Sequence, residues 1–166
     1  RPADDSHNSD WTANVERYLG EENNAEYISM DPALSRFPAD FNIDKLFVRY
    51  VDVARGKMDE AKEILKKITR VYTEKIPGET YGIYFNEIPS TSAGRDITIV
   101  SFFDKYAWMG KDDGFNAKYD EIFGKGSVDA MWTAWQAITP AQECEIWEYQ
   151  EELSGLPPMV KAAERK

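Results

Sequence analysis

Between Leu46 and Tyr72 the chain changes hydrophobic rhythm once, at Gly56, and that change constrains the fold more than any other feature. Before it, LFVRYVDV (46–53) is β-branched and aromatic, with apolar residues at both parities. That is the pattern of a strand covered on both faces. After it, Met58, Ala61, Ile64, Leu65, Ile68, Val71 and Tyr72 recur at helical spacing, with Asp59, Glu60, Lys62, Glu63, Lys66 and Lys67 on the other side. A strand therefore runs through a glycine turn into a one-faced helix. The junction reads as scaffold, not as a catalytic loop.

The rest of the chain repeats the alternation of periods. Pro77-Gly78 ends the helix and YGIYFNEI (81–88) reads as a second strand. PSTSAGR supplies a turn, and DITIVSFF (96–103) a third strand that pairs with the second as a hairpin. A helical region starts at Phe115, breaks at Gly124-Lys125-Gly126 and resumes at Ser127, with Val128, Met131, Trp132, Trp135 and Ile138 as its stripe. ECEIWEY (143–149) is the fourth strand. Residues 1–45 read as an N-terminal arm: 1–9 disordered, a short helix from Trp11 to Leu19, then extended chain lying over the core. Residues 152–166 read as a loose tail. The order βαββαβ predicts an α+β fold of ferredoxin-like type, with a four-stranded antiparallel sheet and two helices on one face across residues 46–151.

The elements VARGKMDEA, PGETYGIYFNEI and DITIVSFFDKYAWMGKD, in that order and spacing, resemble the dimeric α+β barrel superfamily. That group includes the antibiotic-biosynthesis-monooxygenase-like domains. The resemblance implies a homodimer in which the uncovered sheet faces of two chains pack together. For an enzyme, it implies cofactor-independent oxidation or isomerisation of an aromatic or polyketide-like substrate, with Arg49, Tyr84 and Asn86 orienting it. Haem-degrading relatives need a histidine ligand, which residues 46–151 lack, so no cofactor is expected.

Composition excludes several classes. Hydrophobic residues make up 42% and aromatics 13%, too many for a disordered chain. Twenty basic against thirty acidic side chains give a net charge of −10, which disfavours nucleic acids and anionic membranes alike. No apolar run approaches the roughly 18 residues of a membrane span. The opening stretch, RPADDSHNSD, reads like residues that follow a cleaved export signal, so a periplasmic or secreted protein is the expectation.

Metal and nucleotide motifs fail. His7, in the arm, is the single histidine, and placing Gly114 at the sixth position of a calcium loop puts Met109 and Lys111 where oxygen ligands belong. Asp112-Asp113 reads instead as a helix start. Gly124-Lys-Gly126 has two of the three dinucleotide-fingerprint glycines and lies within a helical region. Cys144, the one cysteine, reads as a buried thiol on the fourth strand.

The remaining candidates are polar groups inside apolar strands. Arg49 sits in FVRYV and Asn86 in YFNEI, where a buried charge needs a partner. One reading is edge exposure or a structural salt bridge. The other is a ligand pocket between sheet and helices where Arg49 meets an anionic or carbonyl group, lined by Tyr50 and Tyr84. Trp132 and Trp135 have core spacing. Trp108 lies in a loop-like stretch and is the candidate for an exposed contact, which would suit a carbohydrate-associated or protein-interaction module. The expected function is thus small-ligand binding or another non-catalytic role, with the enzyme and the interaction module as alternatives.

Overall fold

A computed structural model describes residues 6–14, 26–88, 95–154 and 159–161. In chain order the elements are α1 (Ser6–Asn14), β1 (Ile28–Met30), β2 (Asp40–Asn42), β3 (Lys45–Asp52), α2 (Met58–Lys75), β4 (Thr80–Asn86) and β5 (Ile97–Phe103). A 3₁₀ turn (Tyr106–Gly110), α3 (Phe115–Phe123), α4 (Ser127–Ile138), β6 (Ala141–Glu148), α5 (Glu151–Ser154) and β7 (Met159–Lys161) follow. The protein is α+β, with an antiparallel sheet and packed helices consistent with a ferredoxin-like fold. The sheet has five strands, in the order β1-β4-β5-β3-β6, where four were expected.

The rhythm change at Gly56 becomes a backbone turn. Gly56 takes φ +77°, a left-handed conformation that a Cβ would strain, and α2 starts two residues later. Asp59 and Glu60 in its first turn favour the positive end of the helix dipole. Ala61, Ile64, Leu65 and Val71 bury its apolar stripe. The break between α3 and α4 has the same origin: Gly124 and Gly126 both take positive φ. The Asp120 carboxylate then accepts bonds from the Gly126 and Val128 amides at 2.8 and 2.9 Å, closing the start of α4 and holding the Asp120 carboxyl below its usual range.

The fifth strand comes from the arm. Ile28–Met30 pairs with Asn86–Tyr84, and the hydrogen bonding continues along β4 through Asp31 to Ile83 and Arg36 to Tyr81. The Arg36 guanidinium donates to the carbonyls of Tyr72 and Pro77, tying the arm to the end of α2. Three strand residues carry too little alternation to be read as a strand in sequence. The arm's helix is also displaced: it spans Ser6–Asn14, so residues 6–9 are helical instead of disordered, and residues 15–19 of the expected helix lie outside the described residues. The expected loose tail contributes β7, paired with β2.

Alternation along each strand assigns side chains to two faces. Arg49, Ile99 and Ile83 stand in one row across β3, β5 and β4, and Tyr50, Thr98 and Tyr84 in the next. The first row faces the helices, where Val51, Ile83 and Ile97 join Leu65, Val71, Tyr119, Met131 and Trp135 in the core. The second faces away from them. There Phe37 and Phe41 of the arm pack edge-on against Phe102, at 5.6 and 5.1 Å between ring centroids. Val48 and Tyr50 on this face are buried within a single chain. The arm therefore accounts for part of the two-sided apolar pattern that a sister subunit was expected to explain.

At the sheet edge, β6 is exposed along nearly its whole length. Cys144 is exposed as a result, not buried, because the edge strand carries it past the helices. Among the described residues no helix is long and apolar enough to cross a membrane, and no group of three or more His, Cys, Asp or Glu side chains is placed to hold a metal ion.

Candidate functional site

Arg49 stands in the middle of β3, flanked by Ile99 of β5 and Cys144 of β6. Its parity directs it between the sheet and the helices, where it lines a cavity of about 170 Å³. The inner walls are apolar and aromatic: Leu65 and Ile68 of α2, Phe115 of α3, Trp132 and Trp135 of α4. An adjoining outer chamber of about 280 Å³ shares Phe47, Arg49, Tyr72, Glu79 and Trp108 with the inner one and adds Met109, Lys111 and Asp113. Those five shared residues form the neck between the two chambers.

The guanidinium at this neck is poorly matched by the protein. Arg49 Nε is buried and has no hydrogen-bond partner, and Arg49 enters no ion pair with a described residue. The guanidinium lies over the ring of Phe47, with 5.4 Å from Cζ to the centroid. A buried donor left in this state costs about 1–3 kcal/mol. Stable proteins avoid such groups unless something else uses them.

The two carboxylates around the neck are held elsewhere. Trp108 Nε1 donates to Glu79 Oε2 at 2.8 Å, and Lys111 Nζ lies 3.9 Å from the other oxygen. Asp113 Oδ1 accepts the amide of Phe115 at 2.9 Å, at the start of α3. Tyr72 sits among Asp113, Glu79 and Arg49. Burial, then the Asp113 and Glu79 carboxylates, push its phenol well above the ordinary tyrosine range, and Arg49 opposes them in part. Tyr72 is therefore a neutral phenol at physiological pH, able to donate or accept a hydrogen bond. Its shift runs away from neutrality, so it is not tuned for proton transfer. The arrangement is suited to holding a small molecule with an apolar body in the inner chamber and a charged group at the neck.

The structure brings together two of the five residues singled out in sequence. Arg49 and Trp108 line the same cavity. Trp108 is not the exposed contact expected of it: its ring stacks on Phe103 at 5.0 Å and 15°, and its indole N–H is spent on Glu79. Tyr50 and Tyr84 do not line the pocket, because each falls one position out of phase with the row of Arg49. Tyr50 lies under the Arg95 guanidinium, 4.0 Å from its ring centroid, and donates to Glu145 at 3.4 Å. Asn86 ends β4, where it donates to the Arg95 carbonyl at 3.3 Å and accepts from the Ile88 amide at 3.0 Å.

Tyr72, Glu79, Lys111 and Asp113 were missed. Tyr72 was visible only as the last member of an apolar stripe. Glu79 was hidden in the Pro-Gly turn, and Asp113 read correctly as a helix start without a second role. Trp132 and Trp135 do pack inward as their spacing implied, and the inward side proves to be the chamber wall. Among solved structures, the chain is similar to a dimeric ferredoxin-like protein of unknown function from Thermobifida fusca, with 11% sequence identity, a TM-score of 0.41, and coverage of 65% of this chain and 92% of that one. No family model matches the chain, and no curated protein matches it.

Proposed function

We propose that this protein binds a small organic anion with an apolar, ring-sized body in the cavity between the sheet and the helices, and does so without a resident cofactor. The observation behind this reading is the buried, unpartnered Nε of Arg49 at the neck of an aromatic-walled chamber. A carboxylate is the natural complement, since it accepts paired bonds from a guanidinium and is matched in charge. The fold reading that goes with it treats β3, β4, β5 and β6 with their helical crossovers as the ferredoxin-like βαββαβ unit, and β1 as an addition from the arm.

Oxidation or isomerisation of an aromatic substrate is supported by the family resemblance alone. The carbohydrate-contact reading of Trp108 loses its basis once that ring is stacked and hydrogen-bonded. A homodimer through the outer sheet face keeps the support of Trp147, half exposed on that face beside Glu145. Light scattering at micromolar protein tests it, and a strict monomer rejects it.

The binding proposal is tested by calorimetry and thermal shift with benzoate, phenylacetate and indole-3-propionate against their neutral amides. Carboxylates should bind and raise the melting temperature of the wild type but not of Arg49→Met. Equal binding of acids and amides, or binding that survives in Arg49→Met, overturns the assignment.

A further inference from the structure

The neck and the outer chamber beyond it carry both signs of charge, and Arg49 stands in no ion pair with either acid. Two cations, Arg49 and Lys111, and two carboxylates, Glu79 and Asp113, line the outer chamber. In a partly desolvated space, opposite charges that line one chamber normally form pairs. Here Arg49 stays without an acid, because Trp108 holds Glu79 and the Phe115 amide holds Asp113. Lys111 approaches Glu79 only to 3.9 Å and is largely exposed at the chamber's outer lip. The inner chamber meanwhile offers Phe115, Trp132 and Trp135 to an apolar group.

Building on the binding function proposed above, we infer that the ligand is a zwitterion of amino-acid type: its carboxylate meets Arg49, its ammonium meets Asp113 and Glu79, and its bulky apolar side chain fills the inner chamber. A simple anion would satisfy Arg49 but leave two carboxylates beside its own negative charge. A zwitterion answers both poles and keeps the neck neutral. Tyr72 lines both chambers together with Arg49 and Glu79, so its phenol is placed to hydrogen-bond the polar end of such a ligand.

The test is titration calorimetry with L-tryptophan and L-phenylalanine, with indole-3-propionate, which lacks the ammonium, and with tryptamine, which lacks the carboxylate. Wild type is compared with Asp113→Asn and Glu79→Gln, both of which keep the oxygen that accepts the structural hydrogen bond. The amino acids should bind at least about tenfold tighter than either truncated compound, and Asp113→Asn should cost them about tenfold while leaving indole-3-propionate unchanged or tighter. If indole-3-propionate binds through Arg49 as tightly as tryptophan, and Asp113→Asn and Glu79→Gln leave tryptophan affinity unchanged, the zwitterion is wrong and the anion site stands. If no compound of any class binds, both fall together.

Discussion

Replacing Arg49 with methionine should make the ligand-free protein more stable while abolishing its affinity for carboxylates. Nε is buried without a partner, and such a donor costs about 1–3 kcal/mol; the remainder of the side chain is half-buried, which places the cost toward the lower end. Methionine retains the unbranched stem and its packing, so the change avoids most of the cavity that alanine would leave. It forfeits the contact over the Phe47 ring, worth about 0.5–1 kcal/mol. The balance is a gain of up to about 1 kcal/mol, or an increase in melting temperature of up to about 4 °C for a chain of this size. Urea titration and scanning calorimetry of the two proteins without added ligand measure it. A loss of 1 kcal/mol or more would show that Arg49 is part of the framework, and would remove the argument that its placement serves a ligand.

Two further substitutions test the outer face and the end of β3. A Cβ at Gly82 would come within 2.7 and 2.9 Å of the Tyr84 ring and hydroxyl and 3.0 Å of Phe37, so Gly82→Ala should displace the arm and destabilise by about 1–3 kcal/mol; unchanged unfolding in urea would contradict the packing described. Burial and the neighbouring Asp96 carboxyl raise the pKa of Asp52 above 3.8, so the folded state holds that proton more tightly than the unfolded chain. Its contribution to stability is complete below about pH 3.8 and is lost as the pH rises through the higher folded value. Asp52→Asn should therefore match the wild type at low pH and exceed it at pH 7 by about 0.5 kcal/mol, and a wild-type advantage at pH 7 would refute the sign.

Much of the scaffold could be read from residues because its signals are local. Gly56 separates two hydrophobic periods, and Gly124 and Gly126 interrupt one, so the strand, the helices and their breaks follow from spacing. The fifth strand could not be read that way, since Ile28–Met30 is held by β4 instead of by any pattern of its own. Cys144 misled for a related reason: apolar neighbours suggest coverage, but only the order of strands reveals that β6 lies at the edge. At the site, an arginine among β-branched residues was conspicuous. Tyr50 and Tyr84 were grouped with it by nearness in sequence, and the two-residue alternation of strands separates them. Tyr72, Glu79 and Asp113 reach the neck from the end of a helix, a turn and a loop, and only the fold brings them together.

Among the described residues no strand pairs with the outer side of β6, and its side chains show how such an edge is tolerated. An unpaired ribbon of backbone amides and carbonyls is a template for joining another chain. Here Glu143, Glu145 and Glu148 punctuate it, with Arg95 and Lys45 offsetting them from the strand's own side of the sheet. Like-charged ribbons approaching side by side repel one another. A second copy could extend the sheet here only by bringing its own acidic row against this one, so the edge strand carries in its side chains the guard that a covering element would otherwise supply.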